Sequence, residues 1–345
     1  VTDTVVLTGA TGFIGSAALG ALANRFPGLR LRALVRRVPD TAAGAGGSVE
    51  WVTGDLTDPA SLRGLCAGAG TLVHLASYIG RDEERCVAVN VAGTRALMAE
   101  AARAGVRRVV HLSTAAVYGA GPHRGIAVDE VPAEPVSAAS RTRLAGEGHA
   151  LRAGAVVLRP GLVLGAGDRW VVPALRELVD RVPAAWDGNR ALLSAVDVGD
   201  LGRLIAAVAA GEGVPPGVHH ASHPEPVRIG DLLATLVTHG VLPARPDADW
   251  SWPVCLERLR TVPGRVTERQ FALLARDHWY RSDEIWRLSA CPPGPGPLHR
   301  LEAAAAWYRA LLHPTDTLRP TPVSPHCDKV PGPCRPSADG RTIRA

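Results

Sequence analysis

The sequence predicts an α/β protein, with a doubly wound parallel sheet and a smaller, mostly helical substrate lobe. Three observations carry this. Short apolar runs bounded by Gly, Pro or polar residues alternate with helix-length segments over the first half of the chain. The runs are nearly continuous in Val, Leu and Ala, as strands covered on both faces must be. The first run leads into Gly9-Ala10-Thr11-Gly12-Phe13-Ile14-Gly15, a glycine-spaced turn between strand and helix. Together these describe a Rossmann-type sheet, whose right-handed crossovers bring the loops after the strands to one edge.

The elements follow in order. A first strand is expected at 5–7, and helical periodicity at 12–26 stops before Pro27. Strands are expected at 31–35, 49–52 and 71–75, then one long helix at 84–104. A strand at 109–112, a helix at 137–153 and a strand at 155–158 complete the alternation. Beyond Pro160 the pattern is mixed, with helices at 171–181 and 201–210, a short strand at 218–221, and further helices from 224 to 312. The expected division is a sheet domain of 1–165 and 195–222, a lobe of 166–194 and 223–312, and a Pro-rich tail, 313–345, without fixed structure.

The 345 residues suffice for one large core or two modest ones. Basic residues exceed acidic ones by five, yet Lys329 is the single lysine, an Arg-rich bias that suits a GC-rich genome. No basic run with interleaved aromatics appears, so no nucleic-acid partner is expected. Cys66, Cys86, Cys255, Cys291, Cys327 and Cys334 are scattered without ligand spacing, and His74, His111, His219, His220 and His223 have no metal-like arrangement. No metal is expected. A reduced, cytoplasmic setting fits, with no signal peptide and no bilayer-length apolar stretch.

The glycine turn has a physical reading. Gly9 permits the tight turn, Gly12 lets backbone approach a pyrophosphate, and Gly15 lets helix and strand pack closely. A phosphate there meets free N–H groups at the helix start. Gly9, Thr11, Gly12, Phe13 and Ile14 are therefore expected against a dinucleotide. After the second strand stand Arg36 and Arg37, where a carboxylate would bond ribose hydroxyls. Guanidiniums there suit a 2′-phosphate, so NADPH/NADP+ is the expected cofactor. Asp55 and Leu56, after the third strand, are expected to meet the adenine.

Six segments carry a resemblance: residues 8–15, His74-Leu75-Ala76-Ser77, Asn90-Val91-Ala92-Gly93-Thr94, Ser113-Thr114-Ala115-Ala116-Val117-Tyr118-Gly119, Arg159-Pro160-Gly161 and Val196-Asp197-Val198-Gly199-Asp200. Through them residues 3–312 resemble the extended short-chain dehydrogenase/reductase family. The resemblance implies that Leu75, Ala76 and Ser77, with Pro160, Gly161, Leu162 and Val163, line the nicotinamide and its ribose. It implies structural roles for Asn90 and Asp200. It places Thr114 as the catalytic hydroxyl, with Ser113 beside it.

One part of the family pattern is missing. Its Tyr-x-x-x-Lys pair has no counterpart, since Tyr78, Tyr118, Tyr280 and Tyr308 are followed four places on by Asp82, Pro122, Glu284 and Leu312. The family keeps a Glu four residues after its Lys. Anchoring on Glu147 puts Arg143 at the Lys position and Ala139 at the Tyr position. Arg143 is expected to bond the ribose and hold positive charge near the nicotinamide. An alanine supplies no acid, which removes a contribution worth roughly 10²–10⁴ in rate. Thr114, Tyr118 and a phenol of the substrate remain as proton sources, the last being favoured.

Ala115-Ala116 stand where dehydratases of the family carry Asp-Glu, and no Asn follows the sixth strand, which argues against nucleotide sugars. Residues 267–288 are similar to steroid-dehydrogenase-like relatives. Trp170, Trp186, Trp250, Trp252, Trp279 and Trp286 are candidates for a flat slot, and the loop Gly165-Ala166-Gly167-Asp168 for a hinge. The resemblance thus implies an NADPH-dependent ketoreductase acting on a polycyclic aromatic polyketide, with a homodimer through the helices at 84–104 and 137–153. A non-catalytic NADP-binding sensor and an enzyme using Tyr280 as acid are the alternatives.

Overall fold

The computed structural model describes residues 4–40, 49–244 and 247–313. Beyond His313 the expected tail lies outside them. The chain opens with β1 (Thr4–Thr8), buried along its whole length, then α1 (Phe13–Arg25), β2 (Arg30–Val35), β3 (Val49–Thr53) and β4 (Thr71–His74). The long helix follows as α2 (Glu83–Cys86), a π-helical stretch Val87–Gly93, and α3 (Thr94–Arg103). Next come β5 (Arg108–Leu112), β6 (His123–Ile126), α4 (Ala138–Arg152), β7 (Val156–Arg159), β8 (Leu162–Leu164) and α5 (Val171–Arg181). The remainder is β9 (Ala185–Trp186), β10 (Leu192–Leu193), β11 (Ala195–Asp197), α6 (Val198–Ala210), β12 (Gly217–His220), β13 (Val227–Arg228), α7 (Ile229–Thr238), β14 (Asp249–Trp250), α8 (Trp252–Thr261), α9 (Glu268–Ala275), β15 (His278–Tyr280), α10 (Asp283–Leu288) and α11 (Pro297–Leu312).

Seven strands form one parallel sheet in the order β12-β7-β5-β4-β1-β2-β3. The order reverses at β1/β4, which opens a crevice at the strand C-termini. On one face Ala18 and Leu22 of α1 and Leu201, Leu204 and Ile205 of α6 cover the sheet. Gly202 makes their approach possible, since a Cβ there would lie 2.8 Å from the Ala17 backbone. Leu97, Met98 and Ala101 of α3 and Ala150 of α4 cover the other face.

The lobe has its own core, in which Trp186, Phe271 and Tyr308 pack among α5, α7, α8, α9 and α11. A four-stranded sheet, β13-β10-β15-β6, flanks it. Among the described residues no helix is long and apolar enough to cross a membrane.

The long helix departs from expectation in one respect: its middle is a widened π turn. Apolar periodicity does not register that change of hydrogen-bond partner. The turn contains Asn90, whose amide accepts from Tyr78 N and donates to Tyr78 O, both at 2.8 Å, and donates to Thr142 Oγ1 at 3.0 Å. Asp200 is also structural, holding Arg203 at 2.8 Å and Arg300 at 3.0 Å.

Candidate active site

A cleft of about 770 Å³ lies over the seam between β1 and β4. Its wall is the glycine turn, where backbones nearly touch. Gly9 has φ 77°, and a Cβ on it would lie 2.7 Å from Ala76 N; one on Gly15 would lie 1.9 Å from Gly9 O. Gly12 precedes α1 without a side-chain cap, so the first N–H groups of the helix are free to meet an anion.

Most of the expected cofactor residues line this cleft: Gly9, Thr11, Gly12, Phe13, Ile14, Arg36, Asp55, Leu56, Leu75, Ala76, Ser77, Arg143, Gly161 and Val163. Arg37, Pro160, Leu162, Ser113 and Thr114 stand outside the lining. The Arg36-Arg37 pair is split because neighbouring side chains leave a strand end in different directions. Arg37 is 85% exposed, 3.8 Å from Asp40. Pro160 is buried, its carbonyl accepting from Ala115 N, and Leu162 is paired into β8. Asp55 Oδ1 accepts from Thr57 N and Oγ1, both at 2.8 Å. The Thr57 N–H in particular holds that carboxyl below its ordinary range.

Arg143 reaches the floor, and two buried imidazoles lie beneath it. His74 lies between Thr8 Oγ1 at 2.7 Å and Thr94 Oγ1 at 3.0 Å, and its ring is 5.0 Å from that of His111. Burial, with the Arg143 charge adding, lowers the His74 imidazole to about 4 and pushes His111 well down. Both are neutral at physiological pH. Arg143 donates to Ser113 O at 2.6 Å and Leu112 O at 3.2 Å. Burial lowers it to about 10, which leaves it charged. Its Nε is buried without a partner, a donor left over at the cleft floor.

Behind the floor a buried ion pair takes up most of the remaining polar groups. Arg159 meets Glu147 at 2.5 and 3.0 Å, and Ser113 Oγ donates to the same carboxylate. Ser113 therefore supports Glu147, with its hydroxyl directed away from the cleft. Arg159 also donates to Tyr118 Oη at 2.8 Å, and Tyr118 donates to His220 Nε2 at 2.8 Å. His220 Nδ1 donates in turn to Arg281 O at 3.1 Å, which assigns its tautomer. Burial keeps His220 neutral, at about 4, and raises the Tyr118 phenol. Tyr280 stacks on Tyr118 at 5.5 Å, and burial pushes its phenol up as well. Thr114 Oγ1 accepts from Ala116 N at 3.1 Å and caps the short turn Ala115–Tyr118.

The rim holds residues that spacing did not reveal: Tyr78, Ile79, Arg85, Val89 and Asp168. Of the six candidate tryptophans only Trp170 lines the cleft, 62% exposed. Trp186, Trp250 and Trp252 belong to the lobe core, Trp286 to the sheet core, and Trp279 lies against Gly125. The expected hinge at 165–168 is pinned. Asp168 accepts from the N–H groups of Trp170, Val171 and Val172 and from the Tyr308 hydroxyl, while a Cβ on Gly167 would meet Phe13 at 2.7 Å.

Residues 5–218 match the NAD dependent epimerase/dehydratase family. The chain belongs to that family. A ketoreductase of Stigmatella aurantiaca, named for 4-hydroxy-2-methyl-3-oxo-4-farnesyl-3,4-dihydroquinoline-1-oxide, is 30% identical over 68% of this chain and 73% of its own. Sterol demethylase protein B of Methylococcus capsulatus is 44% identical over 34% of this chain, and the match spans only 37% of that relative. Among solved structures, a short-chain dehydrogenase/reductase superfamily protein from Agrobacterium tumefaciens with bound NAD superposes with a TM-score of 0.68. It is 22% identical and covers 90% of this chain and 98% of its own, a likeness of fold.

This family member is a nicotinamide-dependent oxidoreductase, and its residues fit the dinucleotide. The uncapped start of α1 would meet the pyrophosphate, the Asp55-Leu56 step the adenine, and the spare Arg143 donor the nicotinamide end. When bound, the nicotinamide supplies or accepts hydride. Arg143 would contribute fixed positive charge there. Ala139, one helical turn before it, contributes no proton. Among the described residues no cluster of His, Cys, Asp or Glu is placed to hold a metal ion.

Proposed function

We propose that the protein is an NADPH-dependent ketoreductase that reduces a ring carbonyl of a polycyclic aromatic polyketide, angucyclinone-like, in antibiotic biosynthesis, using a proton from the substrate itself. The observation that carries this reading is the state of the acid position. Ala139 stands where an acid is needed, Arg143 is a guanidinium that stays charged, and the phenols of Tyr118 and Tyr280 are buried behind the floor. Arg36 in the cleft supports NADPH over NADH. A ring ketone in the name of the Stigmatella aurantiaca relative supports the substrate class, as does a resemblance to the angucyclinone 7-ketoreductase of simocyclinone biosynthesis.

In this reading the chain binds and orients the ketone, and Arg143 stabilises the oxygen as it gains negative charge. A phenol hydrogen-bonded to the carbonyl gives up its proton to the new alkoxide, and bulk water reprotonates the phenolate. The test is NADPH oxidation with a peri-hydroxy polycyclic quinone beside the same compound with its phenol methylated. Turnover of the free phenol alone is expected. Equal turnover of both places the acid on the protein or solvent. Tight NADPH binding without turnover of either favours a non-catalytic sensor.

A further inference from the structure

Sequence spacing pairs Arg36 with Arg37, but the folded cleft pairs Arg36 with a residue from another element. Arg36 leaves the end of β2, and Arg85 stands on α2; both line the cleft at the end formed by Asp55, Leu56 and Val89. We propose that Arg85, together with Arg36, is the cationic clamp that recognises the adenosine 2′-phosphate, and that Arg37 takes no part. This rests on the NADPH reading above.

Three observations support the assignment. First, neither Arg36 nor Arg85 has an ion-pair partner among the described residues, whereas Arg37 turns away to Asp40. Two guanidiniums facing one cleft end without a carboxylate partner suit a doubly charged ligand group.

Second, the Arg85 mount is preformed. Its guanidinium lies 4.9 Å over the Tyr78 ring, and the Tyr78 backbone is held on both sides by Asn90. Stacking of this kind orients the planar group and leaves its edge N–H donors free. Third, Asp55 lines the same cleft as both guanidiniums, and both charges help to lower its carboxyl after the Thr57 hydrogen bonds. Asp55 itself is engaged by Thr57, so it does not neutralise either arginine at ion-pair distance.

The experiment is calorimetric binding of 2′,5′-ADP and of 5′-ADP to the full chain and to Arg85→Leu, Arg36→Leu and Arg37→Leu. The wild-type chain is expected to prefer 2′,5′-ADP by tenfold or more. Arg85→Leu and Arg36→Leu should each reduce that preference by about tenfold, the scale of one charge-assisted contact. Retained 5′-ADP binding within about twofold shows that the variant fold and the adenosine seat are intact. Arg37→Leu should leave the preference within about twofold. Absence of a preference in the wild-type chain overturns the NADPH reading. A wild-type preference that survives Arg85→Leu overturns only the clamp, as does loss of both ligands to the same extent, which would make Arg85 a contact to the adenosine.

Discussion

The two ends of the cleft differ in what they keep. At the adenosine and pyrophosphate end the devices for holding a dinucleotide are in place: touching backbones at Gly9 and Gly15, an uncapped helix start, and exposed arginines, Arg36 and Arg85, along the lining. At the other end the polar scaffold behind the floor is in place, and α4 carries no acid at Ala139. Glu147, Arg159, Ser113 and Asn90 hold α4 and the π turn against the sheet, while Arg143 of α4 lines the cleft. Under the proposed reading the contrast separates proton supply from hydride transfer, because the two depend on different residues.

That separation can be broken deliberately. The largest effect is expected from Glu147→Ala, which leaves Arg159 buried and unpaired. A loss of about 3–5 kcal/mol is expected in denaturant unfolding. Next is Gly15→Ala, which drives a methyl into the Gly9 carbonyl. It should cost about 1–3 kcal/mol and weaken dinucleotide binding by on the order of a hundredfold, read by calorimetry. A smaller effect sharpens the comparison. The double variant Ala139→Tyr with Arg143→Lys restores a titrating pair. It should raise turnover of the phenol-methylated substrate by at least about tenfold while changing dinucleotide binding little. No gain would show that α4 no longer aims that face at the ketone.

Acid titration tests the neutral burial of two imidazoles. His74 and His220 have folded values of about 4, below their unfolded value near 6.5. The unfolded chain therefore binds protons first as pH falls. The stability associated with their neutral burial is fully present above about pH 6.5 and is lost progressively towards pH 4. A flat unfolding free energy across that window would contradict it. The smallest effect is expected from Tyr78→Phe. Its hydroxyl lies against Gly80 and its ring under Arg85, so turnover should stay within about twofold if the proton comes from the substrate.

Much of this was legible in the sequence. The parallel strands were readable because residues buried on both faces leave unbroken apolar runs, and the glycine turn because only three absent side chains allow those backbones to meet. Anchoring on Glu147 led to Arg143, which does reach the cleft. What escaped depends on contacts between distant elements. Arg85 and Arg36 share one end of the cleft only because α2 and β2 converge there. Which of two adjacent arginines faces inward is settled by the strand end, and which tryptophans are exposed by how the lobe packs. The π turn escaped because side-chain periodicity tolerates one extra residue in a helical turn.

Tyr308 has a consequence of another kind. Its hydroxyl accepts from Gly165 N and donates to Asp168, so a residue of α11 fastens the loop that lies on Phe13. On the ribosome the clasp that sets its rim emerges some three hundred residues after the glycine turn. The nascent chain can form the phosphate seat early. It acquires a finished binding mouth only when α11 docks, which ties ligand capture to the folding of the lobe.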